Sequence, residues 1–549
     1  MDRFVVSLAV LMLAGAAVAD YDRAAADRIR DGIVAKIESA VVRAEQSVAA
    51  NASPVSIADY AAKTKIIDGR RVWTEAFNVA LIENSFVSIP AASEPYWIDG
   101  EVRIGSGRRL AVEKGAVMKR VPGSMLAMIR NAAWESGIDH PVAGRPDEGI
   151  VITGGRWDAG CTTRVSYSPS VFSFSNVKGL VIRDLEIAGA PEFAIQIGDA
   201  EGVRVTDVNF DACKADGVHV NGNVQFIHVA KLTGRVRDDL VALNAFDWPK
   251  CSFNFGNIDH ALVENIELRC DIRSGDDDFC KSLRLLPGLH RYADGSERLC
   301  CLSNIVVRRS KGLRNFKVYC QTPPYELKDG PFLKGMKPGR EDNLFFEDLS
   351  IDFDHPVNGY LSNIRGDRIH GRAAAWEFGA EIGDVYIRNV DVHANLPAFP
   401  MISVAQVAPK HMQLESREGG DPYLDVSVAK LVLDDVRIHG GRMVEPVTVF
   451  GFDDVNGDRR SSGKATLGML VCKNVREMGP YPDKSLVGKG ISAVNLEGLS
   501  VEEKYNLYGS RIENRFRDWQ AGEPQAAADL KTLATEMRIL YDSITKTKE

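Results

Sequence analysis

A right-handed parallel β-helix, an all-β solenoid, is the fold this 549-residue sequence predicts. Three observations lead there: a 23-residue repeat, short alternating strands punctuated by Gly, Asn and Asp, and long helical patterns only near the two ends.

The repeat comes first because it fixes the architecture. Val177–Asp199, Ala200–Gly222 and Asn223–Ala245 are each 23 residues long, and each holds two alternating strands separated by turn residues. Ile195, Val218 and Val241 share one register, and Ile197, Val220 and Leu243 share another. Asn221 and Asn244 match as well, as members of a structural ladder. A strand–turn–strand unit of this size cannot bury its own apolar side chains. Stacked on its neighbours at about 4.8 Å, it builds a continuous core. Later blocks such as LVENIELRC, LFFEDLSIDF, VYIRNVDVHA and LVLDDVRIHG read as further coils. A leucine-rich repeat would need a shorter period and a fixed Leu/Asn consensus, which this chain lacks.

In chain order, residues 1–19 read as a secretory signal. Asp2 and Arg3 precede an apolar run from Phe4 to Ala19 that ends in the small-x-small site Ala17-Val18-Ala19. The run is shorter than the roughly 20 residues of a membrane span. The expectation is therefore cleavage near Ala19 and a secreted or periplasmic protein, rather than an N-terminal anchor. Residues 20–70 form an N-terminal helical segment, with apolar residues at helical spacing over 22–50. Residues 71–515 form the β-helix, which a helix over 73–84 caps, and residues 516–549 form a C-terminal helical segment.

Composition limits the partners. A net charge of −8 argues against a nucleic-acid partner. Nine cysteines in an exported chain permit disulfides, and the odd count leaves at least one unpaired. No C-x-x-C pair supports structural zinc, and no resident cofactor is expected. Calcium is the one metal with any support. Asp276-Asp277-Asp278 supplies hard oxygen ligands, although acidic loop runs are usually solvated.

The same register gathers the candidate site. Asp216 and Asp239 are 23 apart and fall in one column, with Asp238 beside the latter. Carrying the apolar register forward aligns Leu283 and Leu285, then Phe316 and Val318, with Val241 and Leu243. Lys281 and Arg314 thereby join the Asp column, and His219, Arg284 and Lys317 share an outward column. Three carboxylates bordered by cations suit glycoside hydrolysis. Mutual repulsion lets one acid keep its proton while another stays ionised, and the cations can hold an acidic sugar. The plainer reading is a turn ladder of Asp and Asn. Trp248 in NAFDWP offers a flat apolar face for a sugar ring, or simply packs. His260 and His290 read as structural.

DGVHV, then DDLVALN one coil later, then a basic residue in the same column and an R-x-x-K strand, resemble the polygalacturonase family of the pectate-lyase superfamily. The N-terminal run SFVSIP, RIGSGRRLAVEKGAVMKR and IVITGGRWD looks like that superfamily's entry, and the likeness spans roughly residues 70–320. The resemblance implies inverting hydrolysis in which Asp216 and Asp238 activate water and Asp239 is the general acid. Arg314 and Lys317 would hold an anionic sugar. The chain departs from the family at Lys214-Ala215, which stand where Asn-Thr is usual, and at Lys281, which replaces the histidine of a Gly-His-Gly. Two other functions fit the same strip: a polysaccharide lyase with Lys281 or Arg284 as base, and a non-catalytic glycan-binding protein.

Overall fold

A computed structural model of the chain describes residues 21–46, 52–247, 250–268, 281–320, 339–353, 374–394, 401–405, 426–439, 447–450, 465–477 and 494–495. The segments read as an export signal (1–19) and as C-terminal helical (516–549), together with Trp248, the acidic run at 276–278 and two of the nine cysteines, lie outside these residues.

The chain folds as a parallel β-helix of three stacked sheets. The first sheet pairs Ile195 with Val218, Val218 with Val241, Val241 with Leu283, and Leu283 with Phe316. It then continues through Trp376 and Ile402. The apolar register read from sequence is thus the register of the strands. The second sheet runs in step from Val203 through Ile227, Ala261, Ile305, Leu344, Val385 and Leu431 to Leu470. The third includes Val208–Leu232, Leu349–Val390 and Val436–Val475. Alternate residues of all three sheets point inward to one core, where Val218, Val241, Leu283 and Phe316 are fully buried.

The Asp and Asn residues mark the corners. At the bend between second and third sheets, Asp184, Asp207, Asn265, Asp348, Asn389, Asp435 and Asn474 all have φ between 49° and 59°. Asn and Asp tolerate this left-handed conformation better than other non-glycine residues, which explains why they recur once per coil. Lys231 and Arg309 take the same conformation in their coils without that advantage.

Two helices finish the solenoid. Helix α1 (Arg23–Gln46) lies lengthwise on the outer face of the second sheet. Its Ile33, Val34, Ile37 and Val41 pack on Leu262, Val306, Phe345, Tyr386, Val432 and Val471. Those six residues are one in-register outward column. At 24 residues the helix is about 36 Å long, enough to cross some seven coils. Gly179 and Gly202 let it approach, since a Cβ on either would come within 3.5 Å of the Ala44 Cβ. At the other end Arg23 and the Tyr21 hydroxyl meet Asp434 at 3.3 and 3.2 Å. Helix α2 (Thr74–Glu83) caps the first coils by burying Ala76, Phe77, Ala80 and Leu81. Neither helix, nor any other among the described residues, is long and apolar enough to cross a membrane. The seven described cysteines are all free thiols.

Candidate active site

The site lies where strands enter the first sheet. One oxygen from each of Asp216, Asp238 and Asp239 falls within 4.8 Å of the others. Asp216 stands just ahead of Val218–Asn221, and Asp238-Asp239 open the next strand, Asp239–Asn244. The 23-residue step therefore brings the pair of acids beside the first. Asp216 Oδ1 accepts the Asp239 backbone N–H at 2.9 Å, and Asp216 Oδ2 bonds His219 Nδ1 at 2.7 Å. Arg284 Nη2 contacts both Asp238, at 3.0 Å, and Asp239. One guanidinium thus offsets two neighbouring carboxylates, the arrangement that makes such a cluster tolerable in a closed site.

Burial distinguishes the three acids. The Asp216 and Asp239 side chains are 1% and 0% exposed, whereas that of Asp238 is 13% exposed. The outward strip as a whole is more covered than its register implied. His219 is wholly buried, stacked on Phe193 at 3.7 Å, with Asn221 Nδ2 3.1 Å and Asp247 Oδ2 3.5 Å from its Nε2. Arg284 and Arg314 are 6% exposed and Lys317 is 0% exposed. Lys317 sits in register between Arg284 and Glu377. Lys281 pairs with Asp239 as the column required.

A loop inserted at the corner after Asn244 provides much of the cover. Its Ser252 and Phe253 are buried: Ser252 Oγ accepts from Asn221 Nδ2 at 3.0 Å, and the Phe253 N–H donates to Asn221 Oδ1 at 3.4 Å. Asn221 Oδ1 also accepts from Gln196 Nε2 at 2.8 Å. Asn221 and Asn244 remain paired in register, but their side chains bond outward to this loop and to Asp247. Of the two histidines read as structural, His260 bonds Asp259 at 2.6 Å. His290 bonds the Ile138 carbonyl at 2.7 Å and stacks on Phe255 at 3.8 Å.

Three more residues belong to the site. Asp247 approaches His219 and accepts from Asn244 Nδ2 at 2.8 Å. Phe193 and Glu192 precede the strand that begins at Ile195. Stepping the Ile195–Val218 register back by one coil places Phe193 beside Asp216 and Glu192 in the column of Asp238. That step was available in the sequence. Burial raises the Glu192 carboxyl above its usual range despite the pull of Arg164.

An open groove of about 740 Å³ lies elsewhere, at the corner between first and second sheets, lined by Asn176, Asp199, Asn223 and Asp259 among others. Its polar groups mostly serve one another. Asp259 takes Ser303, Asn304 and His260, and Asn223 bonds Asp199 and Arg298.

No family model and no curated protein matches this chain. Solved structures similar to it are parallel β-helix proteins. A hyperthermoactive exopolygalacturonase from Thermotoga maritima matches at 13% identity and TM-score 0.48, over 76% of this chain and 94% of that one. A family 28 exopolygalacturonase from Yersinia enterocolitica matches at 13% and 0.46, over 82% and 79%. A mannuronan C-5 epimerase module from Azotobacter vinelandii matches at 11% and 0.42, over 81% and 100%.

Proposed function

We propose that this protein is an exported glycoside hydrolase acting on a polysaccharide or oligosaccharide with acidic groups, and that Asp216, Asp238 and Asp239 are its catalytic centre. The observation that carries this reading is the convergence of three carboxylates within 4.8 Å, held by Arg284 and His219. Glycosidic cleavage needs one carboxylic acid to protonate the leaving oxygen and a carboxylate to direct water or attack the sugar. Asp238, the most exposed of the three, is suited to the water, and Asp239, beside Arg284, to the proton. Asp216 and His219 hold them in place. The nearest oxygens lie closer than the roughly 6.5–9.5 Å that an inverting pair leaves for water. Inversion therefore rests on the family resemblance alone.

Lyase chemistry is the second reading. Arg284 is committed to two carboxylates and makes a poor base, which leaves Lys281, the neighbour of Asp239 in register. Incubation with uronate polymers, followed by reducing-end release, ultraviolet absorbance and the anomer first formed, separates these readings. Reducing ends without an unsaturated product support hydrolysis. An ultraviolet-absorbing product replaces it with elimination, and no cleavage of any acidic or neutral glycan leaves a binding protein.

A further inference from the structure

Three of the cations expected to hold an acidic sugar are engaged or covered. Arg284 serves the aspartates, and Arg314 and Lys317 are buried. With Lys281 the neighbour of Asp239 in register, an anionic ligand would still approach five carboxyl groups: Asp216, Asp238, Asp239, Asp247 and Glu192. A different arginine meets that need. Arg164 donates from Nε and Nη2 to the two oxygens of Glu192 at 3.2 and 2.6 Å. Glu192 is 2% exposed, while the Arg164 side chain is 36% exposed. The Val165 N–H donates to the Pro191 carbonyl at 3.0 Å, so the two segments are also tied through backbone.

This pair adjoins the aspartates. Glu192 precedes Phe193, the ring stacked on His219, which in turn bonds Asp216. Desolvation works against the Arg164 charge. Its bonds to Glu192, the Glu192 charge and the more distant Asp238 and Asp216 outweigh this and keep it firmly protonated. Arg164 Nη1 makes no hydrogen bond among the described residues. A guanidinium fixed on one edge by a buried carboxylate keeps its other edge for a second planar anion.

We propose that Arg164 reads the negative charge of the substrate, its Nη1 edge binding a sugar carboxylate next to Asp238, and that Glu192 is the positioning residue that fixes it there. This rests on the reading of the aspartate cluster as a carbohydrate site and names the substrate class of that site: uronate-containing rather than neutral.

The test is equilibrium binding, which does not depend on turnover. Galacturonate and mannuronate tetramers and their methyl esters are titrated into the Asp239→Asn protein, alone and combined with Arg164→Ala, Arg164→Lys or Glu192→Gln. Arg164→Ala is expected to weaken binding of a uronate tetramer by at least about tenfold, the scale of a charge-assisted bidentate contact, with the methyl ester changed less than about twofold. Arg164→Lys restores part of the loss, and Glu192→Gln lowers the uronate preference with little change in melting temperature. Equal losses on acid and ester, no loss for Arg164→Ala, or no uronate binding to the Asp239→Asn protein overturns the proposal. Catalysis is read separately: if Asp239→Asn stays fully active, the hydrolase reading fails while the binding comparison still decides the role of Arg164.

Discussion

Asp216 Oδ1 accepts the backbone N–H of Asp239 at 2.9 Å, so the first acid of the cluster holds the strand entry that carries the third. The bond couples structure and chemistry in one side chain. Asp216→Ala strips a buried N–H of its acceptor and His219 Nδ1 of its partner, and it should cost roughly 1–3 kcal/mol. Asp216→Asn keeps a carbonyl acceptor while losing the charge. A urea titration should therefore rank the stabilities wild type, Asn, Ala, while both variants lose activity.

Arg284 gives a second prediction. Replacing it with Met leaves Asp238 and Asp239 adjacent without their shared guanidinium, and breaking a buried pair this way costs roughly 3–5 kcal/mol. Combining Arg284→Met with Asp239→Asn should recover much of that loss in the denaturation midpoint. If the double variant is no more stable than the single one, Arg284 does not act by offsetting the two charges.

Glu341 gives a pH dependence. It is fully buried in the inward column between Leu302 and Ile382, and neither oxygen has a hydrogen-bond partner among the described residues. Desolvation raises its carboxyl well above the ordinary 4.5. The folded protein thus holds a proton that the unfolded chain releases. That contribution is fully present below about pH 4.5 and is lost as pH rises through the folded value. Glu341→Leu should remove this decline and raise stability at pH 7, as measured by denaturation across pH.

Helix α1 gives a fourth test of stability. Ile37 is 0% exposed at its interface with the second sheet. Ile37→Ala should cost about 2–5 kcal/mol. Amide exchange should quicken along the Leu262–Val471 column before it does at the core residues of the first sheet.

The solenoid was legible because its core imposes a period. Ile195, Val218 and Val241 must stack, so their 23-residue spacing appears directly in the chain and predicts the alignment of Leu283 and Phe316. The Asp column came with it, including Lys281 opposite Asp239. What the period does not index is the cover over the strip. The loop carrying Ser252 and Phe253 is an insertion with no counterpart in the repeat, so nothing in the register told that His219 and Lys317 would be buried. Arg164 is in the same position: its contact with Glu192 depends on how an irregular segment folds back. Helix α1 showed its apolar periodicity, but not the outward column of Leu262, Val306 and Phe345 that receives it.

The most direct test of the central claim compares wild type with Asp239→Asn for reducing-end release from uronate polymers, with ultraviolet absorbance followed in parallel and folding checked by melting temperature. The wild type is expected to release reducing ends without an unsaturated product, and Asp239→Asn to lose at least about 100-fold, the low end for removing a general acid. Equal rates for the two proteins, or an ultraviolet-absorbing product from the wild type, would contradict that claim.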